Sequence, residues 1–172
     1  MKARTLSSIR MFVCQQIFRL LPETRCFGLK AALLRWCGAT VGRNVRINSS
    51  ASFSGIGRLV IGDDVWIGPG CYLSPVGDAE IKIGKHVDLG PQVMILTGSH
   101  RIEPEGDHIA GAGTAVSVTI GDGCWLGARS TILPGVSLAE KTLVAAGAVL
   151  SASVMEPKTL VAGVPARRKK AF

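Results

Sequence analysis

Three histidines, His86, His100 and His108, are the side chains here best suited to accept a proton near neutral pH. A hydroxyl is a poor nucleophile until its proton leaves, so a histidine beside a bound alcohol is a natural general base for transfer chemistry. At the far end Arg167, Arg168, Lys169 and Lys170 offer cations to a phosphate, although a terminal charge run alone is usually just solvated. The cysteines (Cys14, Cys26, Cys37, Cys71, Cys124) form no CxxC and leave an odd one over. Reduced thiols in a cytoplasm fit that count better than a disulfide framework.

The elements that must position these groups are read from a repeat of six. Ile61, Ile67 and Leu73 begin it, and Ile83, Leu89 and Ile95 resume it after four extra residues. Ile120, Leu126, Ile132, Leu138, Val144 and Leu150 complete it, and Val41, Ile47 and Phe53 extend it backwards. The fifth place of each hexad is small or β-branched, and Gly62, Gly68, Gly84, Gly90, Gly121 and Gly127 take the second. A large aliphatic and a small inward residue per six describe a short strand and a tight corner. Three such strands close a triangular coil, and stacked coils pair every backbone group between parallel strands. Five coils are expected, over 41–58, 61–78, 83–100, 120–137 and 138–155. The corner glycines are expected to supply backbone angles that other residues resist. Cys71 and Cys124 fall in the small inward place and read as core filler.

Composition agrees. Glycine is 21 of 172 residues, while aromatics are 5% and charged residues 19%. So apolar a chain is not disordered, and so much glycine argues against a helical bundle. The net charge is +8, but residues 1–46 carry nine basic groups and one acidic, and residues 47–166 carry seven basic and eleven acidic. A mildly acidic body between two basic ends excludes a body-wide nucleic-acid surface.

The register ranks the histidines. His86 takes the fourth place of a regular hexad, at a solvated corner, and His108 lies in a loop without register. His100 closes the third coil, directly before the 19-residue segment 101–119. A loop of that length in a regular stack is more often functional than accidental. Asp78 holds the same place one coil earlier, so the two are expected on one corner, about one strand spacing apart.

The pattern resembles the hexapeptide-repeat acyltransferases over roughly residues 41–170. The run "IGDGCWLGARSTILPGVSLAEKTLVAAGAVL" followed by "LVAGVPARR" matches that family's C-terminal coils. "LTGSH" at 96–100 resembles its sugar O-acetyltransferases of bacterial surface-polysaccharide synthesis. The resemblance implies an all-β fold, a left-handed parallel β-helix, and a homotrimer with each cleft between two prisms. It implies acetyl-CoA as donor and direct attack by an acceptor hydroxyl of a sugar or glycan, with His100 as general base. Asp78 and Trp125 match acceptor-side positions, with Trp125 lining the cleft beside the acetyl group. Ala128, Ala146 and Ser151 match coenzyme-contact positions, and Arg167 and Lys170 match the cations that meet its phosphates. Ala152 replaces the lysine or polar residue often found there, and Gly70 stands where a polar acceptor-side residue is usual. Relatives also use serine or amino-sugar nucleotides as acceptors, so the acceptor stays open. No metal is expected. The γ-type carbonic anhydrases share the fold, but histidine spacings of 14 and 8 do not match their ligand pattern. A non-catalytic scaffold would lack the base and the basic tail.

Three segments follow: a basic helical head over 1–40, the β-helix over 41–166 with its insertion at 101–119, and a basic tail over 167–172. Residues 6–21 and 25–37 read as two helices split by Pro22. They serve either as a cap on the open first coil or as a peripheral contact with an anionic inner-membrane face.

Overall fold

In the computed structural model, which describes residues 6–172, the chain is a parallel β-helix of three faces. The first five residues of the basic head lie outside the described residues. The first face carries Thr40–Val41, Arg58–Ile61, Glu80–Ile83, Val118–Ile120 and Ser137–Leu138. The second carries Arg46–Ile47, Trp66–Ile67, Asp88–Leu89, Trp125–Leu126, Leu143–Val144 and Thr159–Ala162. The third carries Ser52–Phe53, Tyr72–Ser74, Met94–Leu96, Thr131–Ile132 and Val149–Leu150. All these strands run parallel, so five full coils form, as the hexads require. Thr159–Ala162 adds one strand beyond the expected end, pairing with Leu143–Val144. Arg167–Ala171 then folds back antiparallel upon it, so the basic tail is a strand of the second face.

The inward residues are those of the first and fifth places. Ile61, Ile67, Leu73, Ile83, Leu89, Ile95, Ile120 and Leu126 are buried, and so are Val65, Val87, Val93 and Val136. Cys71 and Cys124 are core filler as expected, donating to the carbonyls of Gly90 and Ala139 at 3.1 and 3.2 Å. Burial pushes the Cys71 thiol up to about 11 and raises that of Cys124 as well.

Two expectations change. The second-place glycines do not carry the left-handed backbone. That conformation falls at the fourth place, at Asn44, Asp64, His86, Gln92, Arg129 and Lys141 among others. Glycine at the second place answers to space instead: a Cβ on Gly62 would sit 2.6 Å from the Gly84 carbonyl oxygen, and one on Gly127 2.6 Å from the Ala146 nitrogen. The coils are stacked too closely there for any side chain. Secondly, Gly77 and Ser99 hold fifth places yet are exposed, because both lie where the repeat is interrupted.

Those interruptions share one corner. Arg58 and Leu59 pair with Glu80 and Ile81, so the extra residues of two coils lie side by side. Val118 pairs with Ile81, and Leu59, Ile81 and Val118 add a second buried apolar column to the first face. The corner between third and first faces is thereby widened, and there the third coil opens.

The head packs on the first coil. Helix α1 (Ser8–Leu20) and helix α2 (Phe27–Trp36) together contact the first strand of all three faces. Phe18 meets Phe53 edge-on at 6.4 Å between centroids, and Gln15 donates to the Phe53 carbonyl at 2.6 Å. Both helices thus pack over the end of the first coil. Lys30, which counts in sequence as one of the basic surface groups, is buried with its ammonium on the carbonyls of Pro22, Glu23 and Ile47 at 3.0, 2.9 and 3.1 Å. Burial pushes its pKa below the ordinary lysine value. Among the described residues no helix is long and apolar enough to cross a membrane.

Of the five cysteines only Cys26 is exposed. A thiol reagent should therefore modify one cysteine of the native protein quickly and the other four only on unfolding. Rapid reaction of two or more in the folded state would contradict this packing.

Candidate active site

Where the third coil opens, the expected loop is an ordered hairpin. Gly98–Ile102 pairs antiparallel with Ala110–Ala115, with a register shift between His100 and Ile102. The coil ends at Thr97, and the chain re-enters with Val116, whose N–H donates to the Thr97 carbonyl at 2.8 Å. The interruption thus spans 98–117, three residues earlier at its start than the hexad count places it.

His100 projects from this hairpin and is exposed. Its Nδ1 lies 2.8 Å from the carbonyl oxygen of Gly111. A carbonyl oxygen only accepts, so in the neutral ring Nδ1 carries the proton and Nε2 keeps its lone pair. The side chain is held as the tautomer whose Nε2 is the open acceptor. Glu103 braces the same arm: its N–H donates to the Ile109 carbonyl at 3.0 Å, and its carboxylate fills the space where a Cβ on Gly111 would stand.

His100 lines an open hollow of about 420 Å³ together with Val76, Gly77, Gly98, Gly113 and Thr114. Three glycines leave its walls low. Asp78 follows Gly77 in the exposed turn beside the hollow. It does not orient the imidazole, which the Gly111 carbonyl does. The hexad register holds as far as Ser74 beside Leu96. Beyond it the hairpin carries His100 off the corner that strict stacking assigns to both residues.

Trp125 stands elsewhere. It lies on the second face between Asp88 and Leu143, 57% exposed, across the prism from the corner that bears the hairpin. A groove of about 420 Å³ joins it to Gly90, Ala128, Ala146, Leu143 and Leu160. Ala128 and Ala146 floor that groove, so two of the expected coenzyme positions are brought together with Trp125. Ser151 is exposed just after Leu150, next to a third cavity of about 360 Å³ at the prism end. Ala152, Met155, Thr159 and Arg167 line that cavity. Lys170 is exposed on the tail strand, its ammonium 4.7 Å from the Phe172 ring centroid. Arg168 is engaged with Glu156 at 2.9 Å.

Sequence reasoning missed the hairpin pairing, Glu103 and the Gly111 carbonyl. A backbone acceptor has no residue type to betray it, and the glycines and alanines of 110–115 are weak strand formers. His86 is a turn residue, held at φ 55° with Nδ1 3.9 Å from Asp64.

Known proteins resolve what this architecture belongs to. Residues 117–152 match the family described as "Hexapeptide repeat of succinyl-transferase". An Escherichia coli K12 protein, assigned by name to colanic acid biosynthesis as an acetyltransferase, is 35% identical over 132 residues, 76% of this chain and 68% of its own length. The chain belongs to the hexapeptide-repeat acyltransferase family. Galactoside O-acetyltransferase of the same strain is 28% identical over 142 residues, 80% of this chain and 66% of that one. Among solved structures, a hexapeptide-repeat acetyltransferase of Vibrio cholerae complexed with acetyl coenzyme A superposes with a TM-score of 0.77 at 25% identity, covering 95% of this chain and 86% of that one. As a member of this family the chain is an acyltransferase, which separates it from the carbonic anhydrases and scaffolds that share the repeat.

The base of the hairpin is tight. A Cβ on Gly98 would lie 2.8 Å from Val76 Cγ2. Gly98→Ala should displace the arm and lower turnover about ten- to a hundredfold, since small misplacements of a catalytic group have that effect. Adding Val76→Ala should recover part of the loss. Unchanged steady-state rates in Gly98→Ala would show that the hairpin position does not matter.

Proposed function

We propose that the chain transfers an acetyl group from acetyl-CoA to a hydroxyl of a sugar or glycan, with His100 as general base. The observation that carries this reading is the imidazole held through Nδ1 by the Gly111 carbonyl, with Nε2 free at the open hollow. Nε2 removes the acceptor's proton, and the alkoxide oxygen attacks the thioester carbonyl carbon. A backbone N–H steadies the oxyanion. When the C–S bond breaks, the departing sulfur takes the proton from the imidazolium, which returns His100 to its starting state. No covalent acyl-enzyme is needed.

The acceptor reading rests on the named relatives, a colanic acid biosynthesis protein and a galactoside O-acetyltransferase. Asp78, beside the hollow, is assigned to hold an acceptor hydroxyl. The donor reading rests on the groove and the tail. Small residues at Ala128 and Ala146 let an amide-bearing pantetheine arm approach the strand backbone, and Trp125, assigned to the acceptor side, stands beside them where the acetyl group is delivered. Ser151 lies further along, and Arg167 and Lys170 supply cations for the coenzyme's phosphates. Within one prism the hollow and the groove lie on different sides. The reading therefore includes a cyclic trimer, in which the hairpin of one copy faces the groove of the next.

His100→Ala should reduce acetyl transfer at least about a thousandfold, in line with the loss of a general base. Acetyl-CoA binding measured by calorimetry should remain. A variant that keeps near-normal turnover would remove His100 from the mechanism.

A further inference from the structure

Helix α1 is apolar on two opposite faces. Met11, Cys14 and Phe18 form the stripe turned toward the prism, and all three are buried. On the far side, at i, i+3, i+4 and i+11, stand Ile9, Phe12, Val13 and Leu20. They are not covered: Ile9 is 78%, Phe12 65% and Leu20 85% exposed. Helix α2 repeats the arrangement, with Lys30, Ala31 and Leu34 buried and Leu29 and Trp36 outward. A helix that serves only as a cap needs one apolar stripe, and the second is unexplained by packing.

The charges around this outer stripe are of one sign. At 100° per residue Arg10 and Arg19 fall about a quarter turn to either side of it. Arg10 lies over the Trp36 ring at 5.4 Å and donates to the Trp36 carbonyl at 3.1 Å, which joins the outer surfaces of the two helices. Neither helix contains an acidic residue, and Glu23 is the one acid in residues 1–46.

We infer that this outer surface is an interfacial anchor, which seats the N-terminal end of the prism on an anionic bilayer. Apolar side chains enter the headgroup boundary while the arginine stems run along the stripe and leave their charges at the lipid phosphates. A helix of 13 residues cannot span a bilayer, but it can lie flat upon one. A two-fold contact with a second copy is a poorer partner, because the same surface would then face its own positive charge. The inference does not depend on the acetyl-transfer chemistry.

Flotation of the full chain tests it, using phosphatidylcholine vesicles with and without about 30% phosphatidylglycerol, which supplies the negative surface potential. The unaltered protein should float with the anionic vesicles and stay behind with the neutral ones. The triple variant Ile9→Ser, Phe12→Ser, Leu20→Ser should lose flotation about tenfold or more, because these side chains supply the apolar contact. Its melting temperature and sedimentation coefficient should not fall. Arg19→Glu alone should weaken flotation and steepen its salt sensitivity. Equal flotation of triple variant and parent, or no flotation of the parent, would overturn the inference. A lower sedimentation coefficient in the triple variant would overturn it too, since it would assign the stripe to contact between copies.

Discussion

The structure depends on how closely successive coils approach at their corners. Gly62 lies against Gly84, and Gly127 against Ala146, at distances where a Cβ has no room. That approach lets each strand reach the next with its ladder of backbone hydrogen bonds, and it keeps the coil strands of each face parallel. A substitution there moves a whole coil against its neighbour. The same constraint shapes the second face: the groove beside Trp125 is lined by Ala128 and Ala146, where Gly90 and Gly127 let the strands draw together.

Against so regular a stack, the departures from it build the hollow that His100 lines. The extra residues of two successive coils lie side by side on the first face, and the hairpin leaves at the same corner one coil later. Leu59, Ile81 and Val118 fill the widened interior, so the shelf beneath the hairpin is packed. His100 is therefore carried on a short arm rising from a rigid base. Its ring is fixed by a hydrogen bond within that arm, with Glu103 packed against the residue that supplies the acceptor.

The period of six made the prism legible: the buried residues, the five coils and the core role of Cys71 and Cys124 follow from side-chain types at fixed places, and the two helices from their apolar runs on either side of Pro22. What escaped depends on backbone. The left-handed residues fall at the fourth place, where Asn44, His86 and Lys141 share no side-chain feature that would mark them. The partner of His100 is a carbonyl, and Asp78, the carboxylate that strict register offers instead, does not fill that role because the chain leaves the coil after Thr97. The basic tail, read in sequence as a source of cations for coenzyme phosphates, is an ordered strand, since Leu160 and Val161 present an open ladder edge for it to pair with.

The proposed transfer requires a cleft made by two chains, with His100 from one and the Trp125–Ala128–Ala146 groove from the next. Mixing two inactive variants tests that claim, one carrying His100→Ala and the other Ala146→Trp, which blocks the groove. After the two are unfolded together and reassembled, random trimers should regain about one quarter of the native acetyl-transfer rate, because that fraction of clefts pairs an intact histidine with an intact groove. A mixture as inactive as its components would contradict the account and place the base and the coenzyme groove on a single chain.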